Sequence, residues 1–162
     1  MKDTKKDNAL AAALRLLYYR DRSISAMEAK LSEKGFSAGE ITVAIDTLTG
    51  EGLLNDRRFA GELAASRLKN KNWGPLKIAL DLRRKGIPAE IAESVISEID
   101  EETVVLSAKR ALNKWLDKKG LDKKGLSEKE FASAYRHMEA RGFARGLVLR
   151  LISPLREPGI VE

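Results

Sequence analysis

Apolar positions recur along the chain at helical spacing, in three rounds. Leu10, Leu14 and Leu17 form one stripe within Ala9–Arg20. Ile41, Ala44, Ile45 and Leu48 form another, and the groups Ile91, Val95, Ile96 and Val148, Leu151, Ile152 repeat it. Val105, Ala108 and Leu112 give Val104–Leu116 the face of a core-facing helix. Between these stripes one pattern occurs three times: Leu31-Ser32-Glu33-Lys34-Gly35-Phe36, Leu82-Arg83-Arg84-Lys85-Gly86-Ile87 and Met138-Glu139-Ala140-Arg141-Gly142-Phe143. An apolar residue, three mostly polar ones ending in a cation, a glycine and a large apolar residue are what a helix C-terminus requires. Glycine takes the left-handed conformation without a Cβ clash, the next residue folds back onto the last turn, and the cation meets the negative end of the helix dipole. Gly35, Gly86 and Gly142 are therefore expected to be helix caps and not phosphate ligands.

A new helix is expected at once after each glycine. Ser37-Ala38-Gly39-Glu40 reads as a capping box, with Phe36 and Ile41 as its hydrophobic staple. Pro88 stands at the equivalent of Ser37, and Ala144 leaves the third start without a cap. Middle helices are expected to open at Ser25–Glu28, Gly74-Pro75 and Ser127–Glu130. First helices are expected over Ala9–Arg20, Asp56–Leu68 with Asp56 as cap, and Glu102–Lys118. Segment 49–56 reads as a linker, and segment 119–125 as a charged loop. The expected fold is all-α, an elongated tandem array of three three-helix repeats over 9–54, 55–100 and 101–153, with tails at 1–8 and 154–162. Repeats of about 50 residues are marginal alone and gain by stacking.

Composition narrows the function. The 162 residues include no cysteine and one histidine, His137. A disulfide framework, a thiolate zinc site and a cysteine nucleophile are thereby excluded, and a serine–histidine triad has little support. No metal or cofactor motif is present, no catalytic residues suggest themselves, and a non-enzyme is expected. The longest apolar candidate, Ala9–Tyr19, has 11 residues and contains Arg15, where a bilayer span needs roughly 20. Met1–Lys6 is charged but no secretory pattern follows, so a soluble, cytoplasmic monomer is expected. The net charge of +6 is unevenly spread. Arg67–Lys85 carries seven cations against Asp81 alone, and Lys109–Lys124 carries seven against two anions. Between them lie Glu90, Glu93, Glu98, Asp100, Glu101 and Glu102 with no cation. Such blocks are either solvated helix faces or surfaces that meet polyanions.

The segment Gly52-Leu53-Leu54-Asn55-Asp56-Arg57-Arg58-Phe59-Ala60 resembles the signature of the RecX family, regulators of the bacterial RecA recombinase. Gly74, Pro75, Ile78, Leu82, Lys85, Gly86 and Ile87 match its continuation. Ala9-Leu10, Leu14, Leu17, Arg20 and Ser25 resemble the first repeat, and Arg141-Gly142-Phe143 the third-repeat marker. The likeness runs from about Ala9 to Ser153; it departs from the family at Pro88, where a polar cap is usual, and is weakest in the third repeat. It implies a modular helical protein that binds the RecA–single-stranded DNA filament in its helical groove. Such a protein would inhibit filament growth, ATP hydrolysis and strand exchange in homologous recombination, DNA repair and the SOS response. It also implies direct binding of single-stranded, and in some members double-stranded, DNA. The other reading is a helical protein whose main partner is DNA or RNA itself.

The residues offered for filament or DNA contact are Arg67, Lys69, Lys71, Trp73, Lys77, Arg83, Arg84 and Lys85. Around the helix Leu76–Lys85, the charged residues Lys77, Asp81, Arg84 and Lys85 share one arc. Arg83 falls among apolar positions, where it either snorkels outward or meets a partner. Trp73 is either exposed, to stack on a base or anchor an interface, or buried as core. Trp115 reads as core. Tyr18 and Tyr19 are expected to divide, one ring packed and one in water, and His137 to lie at the surface or in a cap.

Overall fold

The computed structural model describes Asn8–Pro158, and most of those residues are helical. The proposed tail 1–8 lies outside the described residues except for Asn8, as do the last four residues of 154–162. The helices are α1 (Ala9–Tyr19), α2 (Ile24–Glu33), α3 (Ala38–Gly50), α4 (Asp56–Ser66), α5 (Pro75–Arg84), α6 (Ala89–Ser97), α7 (Glu101–Lys119), α8 (Glu128–Ala140) and α9 (Arg145–Ile152). A π-helical turn, Arg67–Lys71, continues α4, and a 3-10 turn, Ser153–Leu155, follows α9. Among the described residues the only sheet-like pairing is an isolated bridge between Leu126 and Arg156, which ties the end of the chain to the loop before α8.

The three marked glycines end α2, α5 and α8 at φ +88°, +80° and +87°. Each turn closes with the same two bonds. Phe36, Ile87 and Phe143 donate to the carbonyls of Leu31, Leu82 and Met138, and Gly35, Gly86 and Gly142 to those of Ser32, Arg83 and Glu139. Gly52 and Gly120, read as linker and loop, close α3 and α7 in the same way at φ +71° and +64°. The Ser37–Glu40 and Ser127–Glu130 capping boxes are formed, and Ala144 starts α9 without a side-chain cap.

Several local expectations are corrected. Helix α2 is capped by Ser23, whose hydroxyl accepts from Ala26 N–H, so the box expected at Ser25–Glu28 is not the start. Asn55, not Asp56, caps α4 by accepting from Arg58 N–H at 2.9 Å. Asp56 is buried and accepts the Ile24 N–H at 2.8 Å, serving the first turn of α2 instead of its own helix. In α1 the buried face is Ala9, Ala12 and Ala13, which brings backbones close, and Leu14 is exposed. Tyr18 and Tyr19 are both exposed, meeting edge to face at 5.8 Å, because α1 ends at Tyr19 with nothing packed over either ring. On α5, Ile78 and Leu82 are buried while Leu76 and Leu80 face solvent.

Two compact units emerge, and their boundary falls inside the second repeat. One comprises the described residues up to Glu62 with Leu82–Ala92, and the other Leu63–Asp81 with the residues from Glu93 onward. The first has a core of Ala9, Ala12, Ala13, Met27, Leu31, Ala44, Ile45, Leu48 and Leu54. The second is built on Trp115, Leu116, Leu126, Met138, Phe143, Val148 and Ile152. Trp115 is core, as expected.

Within each unit a repeat glycine touches another helix start. A Cβ on Gly86 would lie 2.5 Å from Ser25 Cβ, and one on Gly142 would overlap the Lys77 backbone nitrogen. At Gly35 nothing among the described residues lies within 4 Å of that position. Against the described residues, alanine at Gly35 meets the left-handed backbone penalty, about 1 kcal/mol, and no clash. Gly142→Ala meets that penalty and a clash with stiff backbone, so its loss of urea stability is expected to exceed that of Gly35→Ala by at least ~1 kcal/mol.

Candidate functional site

The cationic segment Arg67–Lys77 begins where α4 widens into its π turn. Asn72 takes a left-handed conformation at φ +49° to end the turn, and its N–H donates to the Arg67 carbonyl. Small polar residues tolerate this backbone better than most. Ser107 on α7 fastens the segment, its hydroxyl lying 3.3 Å from the carbonyls of both Leu68 and Trp73. Arg141 adds a further tie, donating to the Lys71 carbonyl at 2.6 Å. Helix α5 then starts with the Gly74 and Leu76 N–H groups donating to the carbonyls of Arg141 and Gly142, at 2.7 and 3.1 Å.

Trp73 is neither fully exposed nor core. It is half-buried, with Arg67 Cζ 5.1 Å and Lys77 Nζ 4.6 Å from its ring centroid. Two cations against one indole are attracted by its π face, which fixes their positions. Arg67 is held further, its Nε donating to Asp81 Oδ2 at 2.7 Å, with side-chain exposures of 22% and 17%. Asp81, the one anion of the block, thus neutralises Arg67, which makes Arg67 a brace more than a contact. Lys77 also donates weakly to the Ala140 carbonyl at 3.4 Å. Lys69 and Lys71 are exposed on the π turn, and Arg83, Arg84 and Lys85 are exposed at the end of α5. Arg83 lies at the surface, as a snorkelling side chain would.

The structure thus joins Arg67, Trp73 and Lys77 around one ring and leaves Lys69 and Lys71 in water. Sequence reasoning misses three participants: Asn72, Ser107 and Arg141. Arg141 stands in the repeated glycine pattern, where the helix dipole alone accounts for it. Ser107 sits beside an apolar stripe with no local signal of its own. His137 is half-buried and stacks on Trp115, with ring centroids 5.9 Å apart. Burial, then the positive charges of Arg141, Lys118, Lys119 and Lys77, hold its imidazole below the ordinary range. Among the described residues no group of histidine and carboxylate side chains could hold a metal ion, and no helix is long and apolar enough to cross a membrane.

Family models for the first and second three-helix domains of RecX match residues 9–48 and 55–96. A regulatory protein RecX of Thermus thermophilus is 30% identical over 151 residues, covering 93% of this chain and 94% of that protein. The chain belongs to the RecX family. Regulatory protein RecX of Trichlorobacter lovleyi is 39% identical over 87 residues, and that of Chlorobium limicola 37% over 100. These matches span 56% and 63% of the lengths of those two relatives. A crystal structure of RecX from Lactobacillus salivarius has the same fold, with a TM-score of 0.80 at 23% identity, over 91% of this chain and 94% of that one. RecX is thus a family of regulatory proteins, and the all-α repeat fold is its fold.

Asp81→Ala is expected to leave the partly buried Arg67 guanidinium without its carboxylate and to lower urea stability by about 1–2 kcal/mol. For His137, the folded imidazole binds its proton less readily than the unfolded one, so stability falls as pH drops through its ordinary value of 6.5. His137→Gln is expected to flatten the melting temperature between about pH 7 and about pH 5.5, a window above the ordinary carboxylate range.

Proposed function

We propose that this chain regulates RecA by binding the RecA–single-stranded DNA filament and restraining its assembly, ATP hydrolysis and strand exchange. The observation that carries this reading is the family relationship, which in the Thermus protein extends over 94% of the relative. The surface chemistry agrees with it. Lys69, Lys71, Arg83, Arg84 and Lys85 are exposed, and cations of this kind lower the free energy of approach to a filament that contains DNA phosphates. A regulator acting through binding needs no catalytic group.

A second reading, direct binding of DNA or RNA, is favoured by one specific feature. Lys77 is ordered against Trp73 beside the braced Arg67, and Lys69 and Lys71 stand solvated on the preceding turn, an arrangement suited to a phosphate track. Because both cations already lie against the indole, Trp73 serves more to position charge than to stack on a base.

ATP hydrolysis by RecA on single-stranded DNA, measured with this protein below the RecA concentration, is expected to slow. No effect up to a molar excess removes the regulator reading. Charge reversal at Lys77 and Arg84 is expected to weaken inhibition at least several-fold with the far-ultraviolet circular dichroism unchanged. DNA affinity measured against salt without RecA separates the readings, since a steep logarithmic slope marks direct phosphate contact.

A further inference from the structure

Helix α1 ends on two consecutive tyrosines, Tyr18 and Tyr19, which are 88% and 81% exposed. Rings this far into water forgo the burial that aromatic side chains normally contribute to a fold. They touch each other edge to face, with 83° between their planes. Successive helical residues point about 100° apart, so the two rings leave α1 in different directions and offer π faces on two sides. At Arg20 the backbone turns extended, with φ −169° and ψ 152°, and the chain runs through Asp21 and Arg22 to the start of α2. Arg20 is exposed and Arg22 half-buried. Among the described residues neither arginine has an ion-pair partner, Asp21 between them pairs with neither, and the Arg22 Nε, shielded from water, has no hydrogen-bond partner. Burial, and then the charge of Arg20, lower the affinity of Arg22 for its proton, so the two guanidinium groups repel one another. All four residues belong to the first compact unit, whereas the cationic segment Arg67–Lys77 belongs to the second.

Open rings beside cations that no carboxylate neutralises are the two parts of a single-strand binding surface, since bases stack on the rings and phosphates meet the cations. We propose that the end of α1 is a base-stacking site for single-stranded nucleic acid, with Tyr18 and Tyr19 as its platform and Arg20 and Arg22 as its phosphate contacts. A duplex is a poor occupant. Its bases are already stacked on one another, whereas a single strand can turn between bases to meet two rings set nearly at right angles. A protein partner fits less well. Two tyrosines supply about 300–500 Å² of contact, short of the roughly 800 Å² per partner of a standard protein interface. The platform is not the rim of a wider apolar face either. Of the leucines on α1, Leu14 is 43% exposed, while Leu10, Leu16 and Leu17 pack against the core. The site deepens the direct-binding reading above and rests on it, and it stands apart from the RecA reading.

The test is fluorescence anisotropy of the full chain with a labelled oligothymidylate of about twelve residues, and with an oligouridylate of the same length. Binding of either strand supports the site, and the tighter of the two names DNA or RNA as its source. Tyr18→Ala with Tyr19→Ala is expected to weaken binding about tenfold or more. Tyr18→Phe with Tyr19→Phe is expected to keep it within about twofold, because phenylalanine retains the π face. Both rings are exposed, so the melting temperature of each variant is expected to stay within a few degrees of the unsubstituted chain. An abasic strand of equal length and charge is expected to bind the unsubstituted chain as weakly as the alanine variant binds the intact strand. Undiminished binding by the alanine variant, an equal loss in the phenylalanine variant, or full affinity for the abasic strand overturns the site and leaves direct binding to another surface. Failure of the unsubstituted chain to bind either strand removes the site and the direct-binding reading together. An alanine variant that binds strands normally but no longer slows ATP hydrolysis by RecA overturns the site by assigning the rings to a protein partner.

Discussion

The architecture depends on a glycine turn that does two jobs at one atom. The left-handed backbone at Gly86 and Gly142 ends a helix, and the absent Cβ lets a second helix begin against it. Neither job alone would require glycine so strictly. Asparagine tolerates a left-handed backbone, as Asn72 does, and a close approach can be made by alanine. Together they leave no alternative, because any Cβ at Gly142 would fall on the backbone of Lys77. Hydrogen bonds from helix N–H groups to helix carbonyls then satisfy groups that would otherwise need water or side-chain caps.

Most of the fold was legible because helix ends have local chemistry. The glycine turns, the Ser37 and Ser127 capping boxes and the unaided start at Ala144 all follow from residues within one turn of the helix end. What the sequence concealed was non-local. Asp56 has the composition of a cap, yet its carboxylate serves Ile24, 32 residues earlier, and Asn55 caps in its place. Leucine spacing marked α1 correctly as a helix, but alanine chose its buried face, because close helix packing favours small side chains over large ones. Tyr18 and Tyr19 depart from expectation for a similar reason: whether a ring is covered depends on a neighbour that no local pattern names.

The candidate site was legible as a list of cations and illegible as an arrangement. Charge counting treats Arg67 and Lys69 alike. The structure separates them, since Arg67 is clasped by Asp81 and Trp73 while Lys69 stands in water. That division has an electrostatic meaning. A cation clasped by a carboxylate adds little net potential and serves to hold its neighbours in place, whereas a solvated lysine contributes through released counterions. His137 registers the same positive environment from the side of α8, its proton affinity depressed by burial and by Arg141, Lys118, Lys119 and Lys77.

The Asp56–Ile24 and Ser23–Lys85 bonds bear on where this chain could be cut or spliced. Both join the opening of α2 to residues beyond position 54, where the sequence pattern closes its first period. A fragment ending there would strand the Ile24 amide hydrogen and take away the Lys85 carbonyl that accepts the Ser23 hydroxyl. The interchangeable part is therefore offset from the sequence period: it runs from one middle helix to the next. Recombination between relatives, natural or engineered, would preserve packing only at crossovers that respect that offset.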